Sequence, residues 1–533
     1  MKSLALAAAI AAALVIGAGF RFLALRNGFP NDHFVHLVGA QQILLGDWPT
    51  RDFVDPGLPL MFGLSAAAER VFGSTLFAEG VLVALAFGAG AALTVAAVAR
   101  LTGSVLLGLL AASFELAIFP RTYGYPKVLI YAAAIWLFGR YAARPTAAWR
   151  WSIVALVAVA FLFRHDHGLF VFAGGLVAVM LAPADGGGFR RGLRFCAAAL
   201  AVVLPYLLFV QVETGLWEYL QTGIEFSRRE AAREGHVWPN PFLAGAHEAR
   251  LLYELHLLPV IAAFVVVAKR REPEALVTMT RVLPVVVVAL LVNAAFLRDP
   301  LNTRLPDAVV PDVILGAWLI SQAWRAVRAR AALIACAAAG VLAMGASTLA
   351  VGHTAEEIDR AGLMTGYRQV PARFRERRAQ LLDRFSESQI PNDTIETLVP
   401  FFRYLTRCTA PEDRILNLGY LAEVPVFARR GFAGGLSYFG AYPSSGAREQ
   451  LVLERLGRQT VPIAILASDF TTEFEQRFPQ VAAHVRTRYR QVSDIEVRDD
   501  LHLLILADTN LAPAARDAET GFPCFGFTRR AAP

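Results

Sequence analysis

Residues 4–24, LALAAAIAAALVIGAGFRFLA, are closely followed by residues 29–57, FPNDHFVHLVGAQQILLGDWPTRDFVDPG. The first segment is almost entirely apolar and has the length of about 20 residues that a helix needs to cross a bilayer. The second segment is polar and contains Asp32, Asp52 and Asp55. A loop behind a membrane span lies at the water interface, where carboxylates can stay ionised and act on lipid-borne substrates. The sequence therefore predicts a membrane protein with an acidic active site beside its first helix.

The composition of the whole chain is that of a membrane protein. Of 533 residues, 56% are hydrophobic and only 18% are charged, and the mean hydropathy is +0.46. Such a chain cannot cover its apolar surface with polar groups in water. The net charge of +7 does not indicate a nucleic-acid partner, because the basic residues form short clusters between apolar runs. We therefore expect the chain to be surrounded by membrane lipids and to bind no nucleic acid.

Apolar stretches that predict membrane spans recur along the first two thirds of the chain. They cover residues 4–24, 77–99, 103–119, 127–143, 151–163, 167–182, 193–212, 251–268, 282–297, 308–324 and 330–351. The predicted fold class is a polytopic α-helical membrane protein with about eleven transmembrane helices. The fifth and sixth stretches, separated by RHDH, are interpreted as two helices rather than one broken helix. A cleaved signal peptide is the alternative for the first stretch.

Basic residues orient the bundle, because loops rich in arginine and lysine stay in the cytoplasm. If the spans alternate, one side carries Arg100, Arg140, Arg144, Arg150, Arg190, Arg191, Arg194, Lys269, Arg270, Arg271, Arg281, Arg325, Arg328 and Arg330. The outer loops are then residues 25–76, 120–126, 164–166, 213–250 and 298–307. We predict a multi-pass membrane protein with a cytoplasmic N-terminus and an extracytoplasmic C-terminal domain.

The last third of the chain has the composition of a soluble domain. We therefore divide the sequence into a transmembrane domain at residues 1–351 and an α/β domain at residues 352–533. RILNLG, PIAILAS and LHLLILAD predict strands in the second domain, and the glycine-rich segment 431–446 predicts a loop. Cys408 and Cys524 can pair in an exported domain, but their spacing alone leaves the disulfide open.

Two outer segments have amphipathic patterns. Residues 57–74 contain two charged side chains and predict an amphipathic helix along the outer membrane surface. The long segment 213–250 is typical of a lid or an acceptor-binding element, although its charges fit a solvated helix face equally well.

Cations in the outer loops are candidates for binding an anionic lipid head group. Lys127, one of three lysines in the chain, follows Tyr123 and Tyr125 at the outer end of a span. A lysine that only anchors the helix end is the alternative. Arg164 lies between apolar runs and needs either a phosphate or a structural partner such as Asp166.

Arg304 opens a late span in RLPDAVVP, where Pro306 and Pro311 interrupt the helix start. An arginine at this position is suited to binding a lipid phosphate.

Histidines near these acids raise the question of a metal. His33, His36 and His165 lie in the first and third outer loops and His167 directly follows the third, but none belongs to an HExxH motif. We therefore expect no metal and no other cofactor, with a divalent metal as the alternative.

The chain resembles the GT-C superfamily of membrane glycosyltransferases, in the branch of bacterial protein mannosyltransferase-like enzymes and the lipid A aminoarabinose transferase. The resemblance rests on an apolar first helix, the acidic motif NDHFVHLVGAQQILLGDWPTRDF and the following DPGLPL. Arg164 after the fifth span and RLPDAVVP around Arg304 extend it, so that it covers about residues 1–350. It implies a sugar donor carried on polyprenyl phosphate, an extracytoplasmic acceptor and a general base in the first loop, which by position is Asp32. His33 stands where a second acid often follows.

This resemblance and the loop chemistry together predict an inverting transfer, since one carboxylate base without a second acid as nucleophile implies a single displacement. Lys127, Arg164 and Arg304 are the predicted ligands of the donor phosphate. The predicted supporting residues of the acceptor side are His33, His36, Asp52, Asp55, Tyr123, Tyr125 and Asp166. The acceptor is a glycan, a lipid or a protein.

The sequence leaves two other functions open. The first is a transporter or flippase for envelope glycolipids, because such proteins also carry charges in a polytopic bundle. The second is a non-catalytic envelope-assembly protein whose outer domain binds glycans.

Overall fold

The computed structural model describes residues 2–27, 29–183, 187–233, 239–296, 305–325, 330–385, 398–441, 444–498 and 501–526. The chain divides into two compact units. The first consists of Met1–Leu25, Gly80–Leu207 and Glu230–Arg377. The second consists of Arg26–Glu79, Leu208–Arg229 and Arg378–Pro533.

Helices form nearly all of the regular structure before residue 383. They are α1 Lys2–Leu23, α2 Asn31–Leu44, α3 Pro59–Phe72, α4 Leu76–Thr102, α5 Val105–Ala117, α6 Tyr125–Ala143, α7 Ala147–Phe163, α8 His165–Leu181, α9 Gly188–Glu213, α10 Leu216–Arg233, α11 His247–Ala268, α12 Ala275–Phe296, α13 Leu305–Arg325, α14 Arg330–Val351, α15 Thr354–Arg360 and α16 Val370–Leu382. Each apolar stretch singled out in the sequence falls on one of these helices. The chain is a multi-pass membrane protein.

Among the described residues, five helical segments are both long and apolar enough to cross a membrane. They are Ser3–Leu23, Leu76–Thr102, Gly188–Glu213, His247–Arg271 and Ala275–Ala295, with a bent pair around residue 352 as a sixth. The helices α5, α7 and α8 are apolar but shorter. The total of about eleven crossings therefore stays a prediction.

The chain between the fifth and sixth predicted spans is broken, as the sequence analysis predicted. Arg164 is extended, with φ −170° and ψ 125°, and separates α7 from α8. The structure therefore has two short helices at this point, as predicted, and not one long broken helix.

Small residues allow the helices of the first unit to approach closely. A Cβ at Gly174 of α8 would lie 2.6 Å from the Val288 side chain of α12. A Cβ at Gly88 of α4 would lie 2.5 Å from the Leu14 carbonyl oxygen of α1. Helices in lipid associate through such close backbone contacts at small residues, because the hydrophobic effect does not drive apolar side chains together in a bilayer.

The second unit contains a five-stranded mixed sheet in the order β2-β1-β3-β5-β4. The strands are β1 Arg414–Leu418, β2 Gly431–Phe432, β3 Ile463–Ala467, β4 Tyr489–Arg498 and β5 Leu501–Asp508, and a separate hairpin is formed by β6 Ala515–Arg516 and β7 Pro523–Cys524. Strand β1 is parallel to β2 and β3, whereas β5 is antiparallel to β3 and β4. The helices of this part are α17 Val399–Cys408, α18 Glu423–Ala428, α19 Gly446–Arg458, α20 Thr471–Arg477 and α21 Pro479–Arg488.

The sheet has an apolar core because its strands are buried. Every residue of β3 is buried, as are the last four residues of β1. Leu416, Leu418 and Leu466 belong to one apolar cluster with Phe474 of α20 and with Phe478, which lies between α20 and α21. The three runs that predicted strands correspond to β1, β3 and β5, and the α/β fold predicted for the C-terminal region is confirmed.

Most of the first outer loop belongs to the same compact unit as the C-terminal α/β region. The Phe34 ring lies 5.4 Å from that of Phe427, and Gln42 Nε2 donates to the Phe432 carbonyl at 3.1 Å. Asp47 pairs with Arg414 at 3.0 Å. This division differs from the predicted domain boundary at 351/352, because contacts distant in sequence attach residues 26–79 to the sheet while residues 352–377 stay with the bundle.

Both amphipathic outer segments contain a helix in the structure. Residues 57–74 contain α3, as predicted, and the 213–250 segment contains α10. The side chains of residues 231–238 lie outside the described part of the chain.

A disulfide joins Cys408 at the end of α17 to Cys524 in β7, across 116 residues of sequence. The backbone N–H of Phe525 also donates to the Cys408 carbonyl at 2.9 Å. The pairing that the spacing alone left open is therefore present in the structure.

Candidate active site

Asp32 lies in the first turn of α2 and is exposed. Its Oδ1 accepts a hydrogen bond from the hydroxyl of Tyr420, a residue 388 positions later in the chain. A carboxylate in the first turn of a helix is favoured by the helix dipole. The predicted general base is thus solvent-accessible and ordered by a neutral donor.

Tyr420 lies two residues after the end of β1, in a turn that the Asn417 side chain stabilises. The backbone N–H of Gly419 donates to Asn417 Oδ1 at 3.3 Å, and Asn417 Nδ2 donates to the Ser437 carbonyl at 3.1 Å. The ring of Tyr438 meets that of Tyr420 edge to face, with 4.7 Å between centroids. Burial and the nearby Asp32 raise the pKa of the Tyr420 phenol far above its ordinary value, so the phenol stays protonated.

His33, the neighbour of Asp32, points into the interior. It is buried, and its Nε2 lies 2.7 Å from Oε1 of the equally buried Glu79. The Phe29 ring lies 4.5 Å from its imidazole, and the His36 ring lies 6.1 Å away. Glu69 of α3 also feels the charge of Glu79. Burial, and after it this charge, raises the pKa of the Glu69 carboxyl to about 7. His33, proposed for the acceptor side, is therefore part of a buried polar group.

His36 is also buried and packs its ring 6.2 Å from that of Phe62. It takes part in the aromatic contact between α2 and α3. The structure gives it no exposed position from which to touch an acceptor.

Asp52 and Asp55 have contacts typical of turns. Asp52 Oδ2 accepts from the Trp48 backbone N–H at 2.8 Å and pairs with Arg51 at 2.6 Å. Asp55 is buried, and its Oδ1 accepts from the backbone N–H groups of the next turn at 2.8 and 2.7 Å, just before α3. The Tyr219 hydroxyl donates to the other oxygen of Asp55 at 3.1 Å. Both acids thus organise the loop, which is the alternative role that aspartates often have in turns.

The first unit holds a second polar group, at the break between α7 and α8. Arg164 pairs with Asp166 at 2.9 Å, and about a third of each side chain is exposed. The charges of Arg164, His167 and Lys127 all act on the Asp166 carboxylate. The Tyr131 hydroxyl hydrogen-bonds with His167 Nδ1. Lys127 and Arg164, both predicted to bind a phosphate, therefore lie around one carboxylate.

The two predicted tyrosines of the second outer loop have different surroundings. Tyr123 is half-buried and accepts a hydrogen bond from Arg121 at 2.7 Å. Tyr125 is fully buried at the start of α6, with its ring edge-on to Phe163.

Arg304, the third predicted phosphate ligand, lies outside the described residues. Within the described ranges, one group of three side chains has the geometry of a metal site, Cys408, Asp517 and Cys524. Its two cysteines are joined in the disulfide.

Sequence reasoning missed Tyr420 and Glu79 as partners of Asp32 and His33. Tyr420 carried a signal that was available, because it follows the predicted strand RILNLG, and residues at the carboxyl ends of parallel strands often contact ligands. Glu79 carried a weaker signal as a lone acid in the first turn of an apolar helix.

Glu423, close to Tyr420 in α18, makes folding sensitive to pH. Burial raises the pKa of its carboxyl to about 7, above the ordinary value of 4.5. Between these two values the folded chain binds more protons than the unfolded chain, so stability falls as pH rises through this window. We expect Glu423→Gln to remove this loss and to be more stable than the native chain by up to about 3 kcal/mol above pH 7.

Thermal unfolding in detergent at several values between about pH 5 and about pH 8 measures this difference. Parallel pH dependence of the two proteins would show that Glu423 is ionised in the folded chain. Glu454→Gln is the matched control, because Glu454 is an exposed carboxylate of α19 that pairs with Arg458, and we expect it to leave the pH dependence unchanged.

The fold is similar to that of ArnT from Cupriavidus metallidurans bound to undecaprenyl phosphate, with a TM-score of 0.51, 15% identity and coverage of 96% of this chain and 99% of that chain. The apo-state crystal structure of ArnT from the same organism has a TM-score of 0.47, with the same identity and coverage. No protein-family model matches the chain, and no curated protein matches it.

The coverage corrects one expectation from the sequence. The resemblance was expected to cover about residues 1–350, whereas the structural similarity covers 96% of the chain and so includes the α/β region. The predicted likeness is confirmed at the level of the fold, because the chain has the fold of the crystallised ArnT.

Proposed function

We propose that this chain is an integral membrane glycosyltransferase of the bacterial inner membrane. It moves a sugar from a polyprenyl-phosphate donor to an extracytoplasmic glycan, lipid or protein, with inversion at the anomeric carbon. The observation that carries the proposal is the exposed Asp32 carboxylate at the start of α2, in a chain with the fold of ArnT. The crystallised ArnT bound undecaprenyl phosphate, which supports a carrier of that chemical class.

The proposed reaction needs one base and no second carboxylate nucleophile. The acceptor hydroxyl oxygen forms a bond to the anomeric carbon while the bond from that carbon to the phosphate oxygen breaks. The bonding electron pair leaves with the lipid phosphate, and the hydroxyl proton passes to Asp32. A carboxylate that accepts this proton during the attack typically accelerates such a step 10²- to 10⁴-fold. One displacement inverts the sugar carbon.

Lys127 and Arg164 are the proposed ligands of the leaving phosphate, together with Arg304. The leaving group is already an anion and needs no proton, but fixed cations stabilise the charge that gathers on it. Arg164 can present a planar fork of N–H donors to phosphate oxygens. Its pairing with Asp166 holds the guanidinium in place before a donor arrives.

Two observations support an extracytoplasmic site. The basic loops predict that the C-terminal region is exported. The Cys408–Cys524 disulfide is of the kind that persists in oxidising compartments such as the periplasm.

The proposal is tested with the purified protein in vesicles that contain a sugar-linked undecaprenyl phosphate and an extract of envelope lipids. We expect sugar to appear on an acceptor in step with free undecaprenyl phosphate. Mass spectrometry of the envelope in a strain without the gene names the product, because the matching glycoconjugate should be missing.

The same assay separates the proposal from a flippase. A flippase moves the intact lipid and leaves the sugar–phosphate bond unbroken. Translocation without cleavage would replace the enzyme assignment, and an unchanged donor in the presence of all envelope fractions would contradict it.

A further inference from the structure

The sheet has a topological switch point next to Asp32. The chain passes from β1 to β2 on one side and then to β3 on the other side of β1, and all three strands are parallel. Ligands of such sheets bind beyond the carboxyl ends of the strands where the order reverses. Gly419 lies at that end of β1, and a Cβ there would come 2.7 Å from the Ala467 side chain at the end of β3. The chain after β1 is therefore tightly placed at this position.

Tyr420 extends from this edge to Asp32. Its hydroxyl donates to Asp32 Oδ1, and its ring is backed by Tyr438. Tyr420 is 40% exposed, so the contact lies where a solute can reach it. A hydrogen bond to a charged acceptor is stronger than a neutral one and fixes the acceptor's orientation.

The helix that carries Asp32 is fixed to the same domain. Phe34 packs on Phe427, and Gln42 donates to the carbonyl of Phe432 in β2. Asp32 and Tyr420, whose hydroxyl donates to it, therefore both belong to the second unit, in which α2 packs on the elements around the sheet. Such support is what a catalytic group needs to keep its geometry during turnover.

Tyr420 cannot itself take the proton of an acceptor. The groups that act on it are Asp32, Tyr438 and Glu423, all acidic side chains, and its phenol stays protonated. What it can do is hold one carboxylate oxygen and set the plane in which Asp32 receives the proton.

We propose that Tyr420 is a positioning residue for Asp32, which makes the α/β domain a working part of the acceptor side of the active site. The acceptor hydroxyl approaches the Asp32 carboxylate at the carboxyl edge of β1, and Tyr420 orients that carboxylate toward it. This inference rests on the proposed function, in which Asp32 is the base.

The test is Tyr420→Phe, which keeps the ring and removes the hydroxyl. In the transfer assay with purified full-length protein, we expect kcat to fall about 10- to 100-fold while the KM for the lipid donor stays within about twofold. A residue with only a structural role would lower the melting temperature without this selective loss of kcat.

The matched control is Tyr489→Phe, because the Tyr489 hydroxyl donates to the Val461 carbonyl at 2.9 Å in the same domain and is distant in sequence from the site. It should lower stability and leave kcat per folded molecule unchanged. A double variant separates the roles further. If Tyr420 acts through the carboxylate, adding Tyr420→Phe to Asp32→Asn should cause no further loss, whereas independent residues would lose activity additively.

The possible outcomes distinguish this inference from the proposed function. Full kcat in Tyr420→Phe, together with an inactive Asp32→Asn, would overturn the positioning role and leave the enzyme assignment standing. Full activity of Asp32→Asn would overturn both the positioning role and the base assignment, whereas the absence of transfer by the native protein would overturn the proposed function itself.

Discussion

Asp32→Asn is expected to fold and to insert normally, and to lose about 10²- to 10⁴-fold in kcat. The amide has nearly the same shape as the carboxylate and can still accept the Tyr420 hydroxyl hydrogen bond, but it cannot accept the acceptor's proton. Because Asp32 is exposed, the substitution leaves no buried charge uncompensated. Steady-state transfer rates, normalised to folded protein by size-exclusion chromatography, measure the effect.

The matched control for this variant is Asp494→Asn, which makes the same change at an exposed carboxylate of β4. We expect the control to retain native transfer rates. A loss of similar size in both variants would mean that the assay responds to general damage, and the base assignment would then have no support from it.

Arg164→Ala is expected to weaken the binding of undecaprenyl phosphate about 10- to 100-fold and to lower kcat as well. A charged hydrogen bond contributes about 1.5–3 kcal/mol, which corresponds to a change of this size in affinity. Binding of undecaprenyl phosphate alone, measured by calorimetry or by protection against thermal unfolding, isolates the donor side from the chemistry.

Asp166→Asn separates the two roles that Arg164 can have. It removes the ion pair with Arg164 but keeps the guanidinium available to a phosphate. If Arg164 binds the donor, Asp166→Asn should keep the affinity for undecaprenyl phosphate within about threefold, because the phosphate itself still meets the cation. Equal losses in both variants would show that the ion pair is structural and that the phosphate is bound elsewhere.

The helical part of the fold could be predicted well from the sequence. Apolar segments of the right length can form only helices in lipid, since every backbone N–H and C=O must be satisfied within the segment. The charges around Arg164 marked the boundary between α7 and α8 for the same reason. The number of membrane crossings was harder, because α5, α7 and α8 are shorter than a full span and length alone does not decide their placement.

The strands and the domain division were predicted less evenly. Strands β1, β3 and β5 are apolar runs, whereas β4, YRQVSDIEVR, mixes apolar residues with charged and polar ones and was not predicted as a strand. The attachment of α2 to the sheet depends on side chains hundreds of residues apart, such as Gln42 and Phe432. Local periodicity carries no information about such pairings.

The candidate site shows the same limit. The sequence placed Asp32 in a polar loop after the first span and identified Lys127 and Arg164 as candidate cations. The structure instead places Asp32 in the first turn of helix α2. The sequence could not show that His33 turns inward to Glu79, because residue type and spacing do not reveal which face of α2 is covered. The position of Tyr420 after a predicted strand marked it as a candidate, but its contact with Asp32 could not be predicted, because that contact depends on tertiary packing.

The most direct test of Asp32 as the general base is a single turnover on prebound sugar donor. Native protein and Asp32→Asn are each saturated with undecaprenyl-phosphate-linked sugar, mixed with acceptor and quenched at short times. We predict that the two proteins bind the donor equally and that the transfer step is slower by at least about 10²-fold in Asp32→Asn. Equal rates of sugar transfer by the two proteins would contradict it.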